Sequence, residues 1–180
     1  MTGLLQQKAE RIKLLLFDVD GVLTDGTVLI QSDGTESKNF AIKDGIAMVW
    51  AGRAGLKVGV LSARTSPTTV HRAAQLGISI VHQGVTSKAE AYQRILRDEG
   101  LNDAEVAYMG DDVVDLAVLA RAGLSAAPAD AVAEVRAEVD WVSAHNGGRG
   151  AARELIETVL RAQKLWDPVV ARYRSEAGPR

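Results

Sequence analysis

The chain has 180 residues, of which 47% are hydrophobic and 24% charged, with a formal net charge of −2 and no cysteine. This length predicts a single domain over residues 1–180, and the small net charge argues against binding to nucleic acid or to an anionic membrane, so we expect a small-molecule partner. The absence of cysteine excludes disulfides and thiolate metal sites, and neither a secretion signal nor the ~20 apolar residues of a membrane helix is found, which together predict a cytoplasmic protein.

The most informative stretch follows the first predicted strand, the apolar run over residues 12–17, and includes Asp18, Asp20 and Gly21. Two carboxylates two residues apart, at the end of a strand buried on both faces, project into the crevice where parallel sheets bind ligands. The first Asp can attack phosphorus and the second can move a proton, while the glycine permits a sharp turn. A solvated turn after a strand would also explain these residues, because Asp and Gly are common in turns.

The rest of the chain alternates between predicted strands and helices. Residues 27–40 predict a β-hairpin insertion, and Asp44 is predicted to cap a helix that buries Ile46, Val49 and Trp50 and stops at Gly55. Further strands are predicted over residues 57–61, 79–81, 106–109, 124–126 and 141–142. Further helices are predicted from Ser66-Pro67 to Gly77, from the capping box at Ser87 to Gly100, and over 112–121, 130–138 and 151–161, followed by a loose tail over about 163–180. The pattern predicts an α/β fold with a Rossmann-like parallel sheet and helices on both faces.

Polar residues recur where the predicted strands end. Ser62 can offer its hydroxyl and backbone amide to a phosphate oxygen, and Lys88 lies at a helix N-terminus, where the helix dipole disfavours a cation unless an anion is near. Asp111, Asp112 and Asp115 follow the strand over residues 106–109. Each of these is also explained by an ordinary cap, turn or surface residue, so the prediction depends on their joint occurrence.

Charge repulsion predicts a metal ion at this edge of the sheet. Two carboxylates about 4 Å apart repel by ~4 kcal/mol at an effective dielectric constant of 20, so Asp18, Asp20 and Asp111 need a cation in order to ionise together. Oxygen ligands without cysteine or clustered histidine favour a hard ion, and phosphoryl transfer favours Mg²⁺ over Ca²⁺. Lys88 supplies further compensation. His71, His82 and His145 have no ligand spacing and are interpreted as structural or surface residues.

In this order, the motifs resemble the haloacid dehalogenase superfamily of aspartate-nucleophile phosphatases. The segments 18–26, Lys38-x-Phe40 with Asp44-Gly45, Gln83-Gly84-Val85 and 147–151 are similar to the 3-deoxy-D-manno-octulosonate 8-phosphate phosphatase family, over roughly residues 10 to 163. The resemblance implies the following roles: Asp18 as nucleophile and metal ligand, Asp20 as acid/base and metal ligand through its backbone carbonyl, Asp111 as metal ligand, Ser62 and Lys88 as phosphate-binding residues, and Asp112 and Asp115 as partners of metal-bound water and of Lys88.

The resemblance also implies a capless, magnesium-dependent enzyme acting on a phosphorylated sugar acid. The family forms homotetramers in which the hairpin lies at subunit interfaces and the C-terminal segment reaches a neighbouring active site. At the substrate end of the pocket we predict Lys43, Arg64 and Arg149, the last meeting the sugar carboxylate with a bidentate contact. The segment around Arg149 is also explained as a lead into the next helix.

Departures from the family pattern leave the sugar open. Ser62-Ala63 stands where Thr-Gly is usual, Val114 where Asn is common, and Lys43 and Thr86-Ser87 also differ, so an acylneuraminate-type nine-carbon or other sugar phosphate is an alternative substrate. A phosphoacceptor signalling domain is a rival class, but its acceptor Asp comes from a later strand, and the predicted third-strand end has none. A non-catalytic assembly protein is a second rival, which the complete set of catalytic residue types disfavours.

Overall fold

The structure is a computed structural model that describes residues 3–175. Its main sheet has six parallel strands. Its strands are β1 (Leu14–Phe17), β4 (Lys57–Leu61), β5 (Ile80–His82), β6 (Val106–Met109), β7 (Leu124–Ala127) and β8 (Trp141–Val142). They lie in the order β5-β4-β1-β6-β7-β8, and β1 pairs in parallel with both β4 and β6. The predicted α/β fold is confirmed.

The strand order reverses at β1. The chain first extends the sheet through β4 and β5 and then returns to the other side of β1 with β6, β7 and β8. In a parallel sheet this switch creates a crevice at the carboxyl ends of the central strands, which is where ligands bind. The acidic motifs that follow β1 and β6 therefore meet at one edge.

Apolar clusters cover both faces of the sheet. Leu15 and Phe17 of β1 pack into one cluster with residues of α2 (Ile42–Arg53) and α7 (Ala151–Ala162). Leu14 and Leu16 point the opposite way and pack with residues of α4 (Lys88–Glu99). The alternation follows from the period of two in a strand, and burial on both faces explains why β1 is apolar throughout.

The remaining helices are α1 (Gly3–Glu10), α3 (Pro67–Leu76), α5 (Leu116–Leu119), α6 (Ala133–Glu138) and α8 (Trp166–Ser175). Helix α1 was not predicted. The helix predicted over 112–121 is instead a 3-10 turn (Val113–Asp115) followed by α5. The hairpin strands β2 (Leu29–Ile30) and β3 (Glu36–Ser37) are antiparallel and only two residues long. Within residues 3–175 no helix is both long and apolar enough to span a membrane.

The prediction that Asp44 caps its own helix is wrong. Helix α2 already begins at Ile42, so Asp44 lies in its first turn, and its carboxylate instead accepts hydrogen bonds from the backbone amides of Gly150 (3.2 Å) and Arg153 (2.9 Å). It therefore satisfies amides at the N-terminus of α7 from another element. The predicted apolar face is also shifted, since Ala47, Met48 and Ala51 are buried, while Ile46, Val49 and Trp50 are only partly buried.

The prediction of a loose tail is wrong for residues 166–175, which form α8. Trp166 packs edge-on against Trp50 with ring centroids 5.7 Å apart, and the Tyr173 hydroxyl accepts a hydrogen bond from the Trp50 indole at 3.0 Å. The two tail aromatics thus contact their own chain. Residues 176–180 of the predicted tail lie outside the described residues.

Candidate active site

The nucleophile candidate Asp18 directly follows β1 and is buried, with its backbone amide donating to the Met109 carbonyl at 3.0 Å. The chain then turns at Gly21, which has a φ of +84°. A Cβ atom at Gly21 would lie 2.0 Å from a carboxylate oxygen of Asp111. Glycine is therefore needed here both for the backbone conformation and for the close approach of the two acidic loops.

Lys88 joins the acidic motifs from the first turn of α4. Its Nζ lies 3.0 Å from Asp18 Oδ1 and 2.6 Å from Asp115 Oδ1, and its side chain is 4% exposed. Burial lowers the pKa of Lys88, but the two carboxylates outweigh that effect and raise the pKa above its ordinary value. Lys88 is therefore a buried cation held between two anions.

Asp115 is fully buried and fully bonded. Besides Lys88, it accepts hydrogen bonds from the Tyr108 hydroxyl at 2.5 Å and from the backbone amides of Asp111 (3.1 Å) and Asp112 (3.3 Å). Tyr108 was not predicted as a site residue, because it belongs to a buried strand whose sequence pattern indicates only core. Asp112 accepts from the Val113 amide at 2.7 Å and so caps the 3-10 turn.

The acidic cluster fits a divalent cation. Asp18, Asp111 and Asp115 each have a carboxylate oxygen within 4.8 Å of the others, but the oxygens of Asp115 are already occupied by four donors. Asp111 Oδ1 is buried and has no hydrogen-bond partner among residues 3–175. Since a buried acceptor without a partner is costly, Asp18 and Asp111 are the candidate metal ligands of this cluster. Carboxylate oxygens suit Mg²⁺.

The pKa values of these two acids reflect the burial of several carboxylates close together. Burial raises the pKa of Asp18 to about 6, although Lys88 opposes the shift. Burial, with smaller effects from Asp18 and Asp115, raises the pKa of Asp111 to about 7. One buried lysine is thus too little compensation for the three carboxylates.

Asp20 lies nearby but faces a different pair of cations. Its carboxylate oxygens accept hydrogen bonds from Lys38 Nζ at 2.7 and 2.9 Å, and Arg64 Nε lies 3.3 Å from Oδ2. A role for Asp20 as a metal ligand through its backbone carbonyl remains a prediction. In the sequence, Lys38 stands out only as part of the Lys38-x-Phe40 motif. Alternating burial over residues 36–40 places it on the inner face of the hairpin, a signal too short to identify from sequence.

A pocket of about 280 Å³ opens onto this edge of the sheet. Its lining includes the predicted residues Asp18, Asp20, Ser62, Arg64, Lys88, Asp111 and Asp112. The Ser62 hydroxyl accepts a hydrogen bond from the Arg64 amide at 3.2 Å. The prediction that Ser62 also offers its own amide to phosphate is wrong, because that amide donates to the His82 carbonyl at 2.8 Å and so extends the pairing of β4 with β5.

The other predicted substrate residues lie outside the pocket lining. Lys43 is exposed on the first turn of α2. Arg149 is 71% exposed, with its guanidinium 3.7 Å from Asp25. A Cβ at Gly147, two residues before Arg149, would lie 1.8 Å from the Gly21 carbonyl oxygen. The absence of a side chain there lets this segment pack against residues 18–26, the catalytic loop that follows β1.

The histidines do not form a site. His71 and His145 are exposed, and His82 is partly buried within β5. Among the described residues, the group that could hold a metal contains no histidine.

Residues 59–155 match the family of haloacid dehalogenase-like hydrolases. The chain is similar to 3-deoxy-D-manno-octulosonate 8-phosphate phosphatase KdsC of Haemophilus influenzae, at 41% identity over 88% of each chain. It is 38% identical to KdsC of Escherichia coli K12 over 89% of this chain and 85% of the other. The solved phosphatase of that name from Moraxella catarrhalis, in complex with a magnesium ion, a phosphate ion and a KDO molecule, has a TM-score of 0.94 at 34% identity and covers 96% of this chain and 99% of its own.

The raised pKa values of Asp18 and Asp111 predict how stability depends on pH without metal. Between an ordinary carboxyl pKa of 3.8 and the folded-state values of about 6 and about 7, the folded chain binds more protons than the unfolded chain. The melting temperature in EDTA should therefore fall as the pH rises through this window. Mg²⁺ should raise it more at pH 8 than at pH 5, because protons compete for the ligands.

Differential scanning calorimetry at constant ionic strength measures both effects. Asp111→Ala should lose the magnesium increment, whereas Asp98→Ala, at an exposed position of α4, should keep it. An increment that is the same at both pH values, or that survives in Asp111→Ala, would contradict the assigned site.

Proposed function

The chain belongs to the 3-deoxy-D-manno-octulosonate 8-phosphate phosphatase family of the haloacid dehalogenase-like hydrolases and is a phosphatase of this type, and on that premise we propose that it hydrolyses 3-deoxy-D-manno-octulosonate 8-phosphate through an aspartyl-phosphate intermediate. The single observation that carries the mechanism is the buried Asp18 beside Lys88, in the lining of a pocket that Asp20 and Asp111 also line. A nucleophile, a phosphate-binding cation and an acid/base thus lie together at one edge of the sheet.

In the first step an Asp18 carboxylate oxygen attacks phosphorus and the bond from phosphorus to the sugar oxygen breaks. The electron pair of that bond goes to the sugar oxygen, which takes a proton from Asp20. Asp20 enters this step as the carboxylic acid, carrying the proton that it takes from water in the second step of the preceding turnover. Lys88 and the Ser62 hydroxyl bind phosphoryl oxygens and stabilise the charge that develops there. Asp115 holds the Lys88 ammonium in place through an ion pair of 2.6 Å.

Magnesium is the cofactor, and Asp18, Asp111 and the Asp20 carbonyl would hold it. When bound, it supplies positive charge that stabilises the phosphoryl group and lets the neighbouring carboxylates ionise together. The unpartnered oxygen of Asp111 supports this assignment.

In the second step water attacks the phosphorus of the aspartyl phosphate. Asp20 accepts a proton from that water, the bond from phosphorus to the Asp18 oxygen breaks, and inorganic phosphate leaves. Asp18 returns to a carboxylate. One residue therefore serves as acid in the first step and as base in the second.

The nucleophile is tested with Asp18→Asn, in which an amide of the same shape replaces the carboxylate. Turnover of the sugar-acid phosphate in magnesium should fall by at least about a thousandfold, because an amide is a poor nucleophile. Asp20→Asn should be slow as well, and with 4-nitrophenyl phosphate, whose leaving group needs no proton, it should accumulate a phosphoryl group on the peptide containing Asp18, which acid quenching and mass spectrometry detect. Retention of about a tenth of wild-type turnover in Asp18→Asn would contradict the nucleophile assignment.

A sugar-acid substrate presents a carboxylate in addition to its phosphate. Arg64 is a half-exposed cation in the pocket lining, and Arg149 lies outside that lining, with its guanidinium 3.7 Å from Asp25. A guanidinium can bind a carboxylate through two parallel hydrogen bonds. In this proposal Arg149 exchanges its long contact with Asp25 for the substrate carboxylate, and Lys43 contributes only long-range positive charge.

Arg149→Ala tests the substrate end of the site. The catalytic efficiency for the eight-carbon sugar-acid phosphate should fall about tenfold, corresponding to ~1.4 kcal/mol, while that for a small aryl phosphate stays within about twofold. Arg97→Ala, an exposed arginine of α4, is the control. Equal losses on both substrates would place Arg149 at the phosphate or in the fold. Assays of eight-carbon and nine-carbon sugar-acid phosphates on the wild type decide between the two substrates.

The assembly we propose is a homotetramer that closes the open pocket by contacts through the hairpin. Leu29 and Ile30 of β2 are 59% and 69% exposed, and Ile42 at the start of α2 is 74% exposed. Adjacent exposed aliphatic side chains on a short projecting hairpin are typical of a surface that another protein covers.

Replacing both Leu29 and Ile30 with Ser should convert the tetramer to smaller species, because the interface loses its apolar contacts. Sedimentation velocity at micromolar concentration measures the species. Val70→Ser, at a half-exposed position of α3, is the control and should leave the assembly unchanged. A monomeric wild type, or a double variant that assembles like the wild type, would contradict the tetramer.

A further inference from the structure

We infer that Lys38 is a positioning residue for proton transfer to the leaving group, acting through Asp20. This inference rests on the proposed function, in which Asp20 protonates the departing sugar oxygen. It goes beyond that function because it gives the hairpin, which lies outside the six-stranded sheet, a role in the chemistry of the same chain.

The contact between Lys38 and Asp20 is a two-point clamp. Lys38 Nζ lies 2.7 Å from one carboxylate oxygen and 2.9 Å from the other, and the Lys38 side chain is only 1% exposed. Because Lys38 is shielded from solvent and the Asp20 side chain is 19% exposed, the attraction is screened less than that of a fully exposed ion pair. The ammonium therefore fixes both the location and the rotation of the Asp20 carboxylate.

The hairpin backbone explains why Lys38 reaches this position. Glu36, Lys38 and Phe40 are partly buried, whereas Ser37 and Asn39 between them are exposed, as expected for an extended segment with one face inward. Phe40 packs against the main apolar cluster of the sheet. Phe40 thus anchors the inner face of the hairpin in the core, and Lys38 joins that face to Asp20 in the catalytic loop.

Glu36 and Arg64 complete a chain of alternating charges around the clamp. Arg64 donates to Glu36 at 3.0 Å and approaches Asp20 at 3.3 Å, and Lys38 Nζ lies 4.0 Å from the other oxygen of Glu36. The charges of the two cations and the two anions cancel. Lys38 and Arg64 therefore both contact the Asp20 carboxylate without adding net charge to the pocket. Loss of Lys38 would leave Asp20 with the half-exposed Arg64 as its remaining cationic contact in this network.

The chemistry predicts a selective defect when this clamp is removed. A sugar alkoxide is a poor leaving group and needs the proton from Asp20 as the bond to phosphorus breaks, whereas 4-nitrophenolate leaves without one. The ratio kcat/KM covers steps only up to departure of the leaving group, so it separates this proton transfer from the later hydrolysis of the aspartyl phosphate. A residue that only stabilised the fold or bound phosphate would affect both substrates.

The experiment measures kcat/KM of the magnesium-loaded enzyme for the sugar-acid phosphate and for 4-nitrophenyl phosphate. Lys38→Met should lower the first about tenfold or more and the second by less than about threefold. Lys38→Arg, which keeps a cation, should recover most of the loss. Asn39→Ala, on the exposed face of the same segment, is the matched control. Thermal unfolding checks each variant, and Lys38→Gln replaces Lys38→Met if the latter does not fold.

A double-mutant cycle tests whether Lys38 acts through Asp20. In an Asp20→Asn background, Lys38→Met should cause no further loss on the sugar-acid phosphate, because the residue it positions is gone. Equal losses on the two substrates, no loss on either, or additive losses in the cycle would each overturn the role of Lys38. A wild type inactive on both phosphates would instead overturn the proposed function, so the two failures are distinguishable.

Discussion

The repulsion among carboxylates gathered at the carboxyl ends of β1 and β6 is the constraint on which the site depends. Parallel pairing of the two strands brings Asp18, Asp111 and Asp115 within 4.8 Å of one another. Lys88 neutralises part of this charge, and Asp115 also accepts hydrogen bonds from Tyr108 and from two backbone amides. The negative charge that remains uncompensated creates an affinity for a divalent cation, because the fold buries more negative than positive charge at this edge of the sheet.

A second charge network has a different purpose. Asp20 is only two residues from Asp18, yet the turn after β1 directs it to Lys38 and Arg64 instead of to Lys88. Adjacent acids thereby have separate partners, which is how two chemically identical side chains can serve as nucleophile and as acid/base. Because Lys38 belongs to the hairpin, the position of the Asp20 carboxylate is linked to an element that also carries the exposed aliphatic residues Leu29 and Ile30.

Close backbone packing keeps both networks in register. Gly21 lets the first acidic loop contact Asp111, and Gly147 lies directly against the Gly21 carbonyl. Asp44 of α2 holds the start of α7 through two backbone amides, which fixes the segment that carries Arg149. Each of these contacts tolerates little added volume, so the loops around the pocket are positioned by sterics as well as by charge.

The sequence by itself determined the fold class, the first strand, the acidic motifs and the lysine at the start of α4, because strand burial, turn glycines and helix caps depend on neighbours within a few residues. Tertiary structure alone decided which partner each polar group has. Asp44 caps a helix about a hundred residues away in the chain, the Ser62 amide donates to a carbonyl of β5, and Lys38 of the hairpin donates to Asp20. Such pairings depend on how elements pack, and local periodicity carries no information about the distance between segments that meet only in the folded chain.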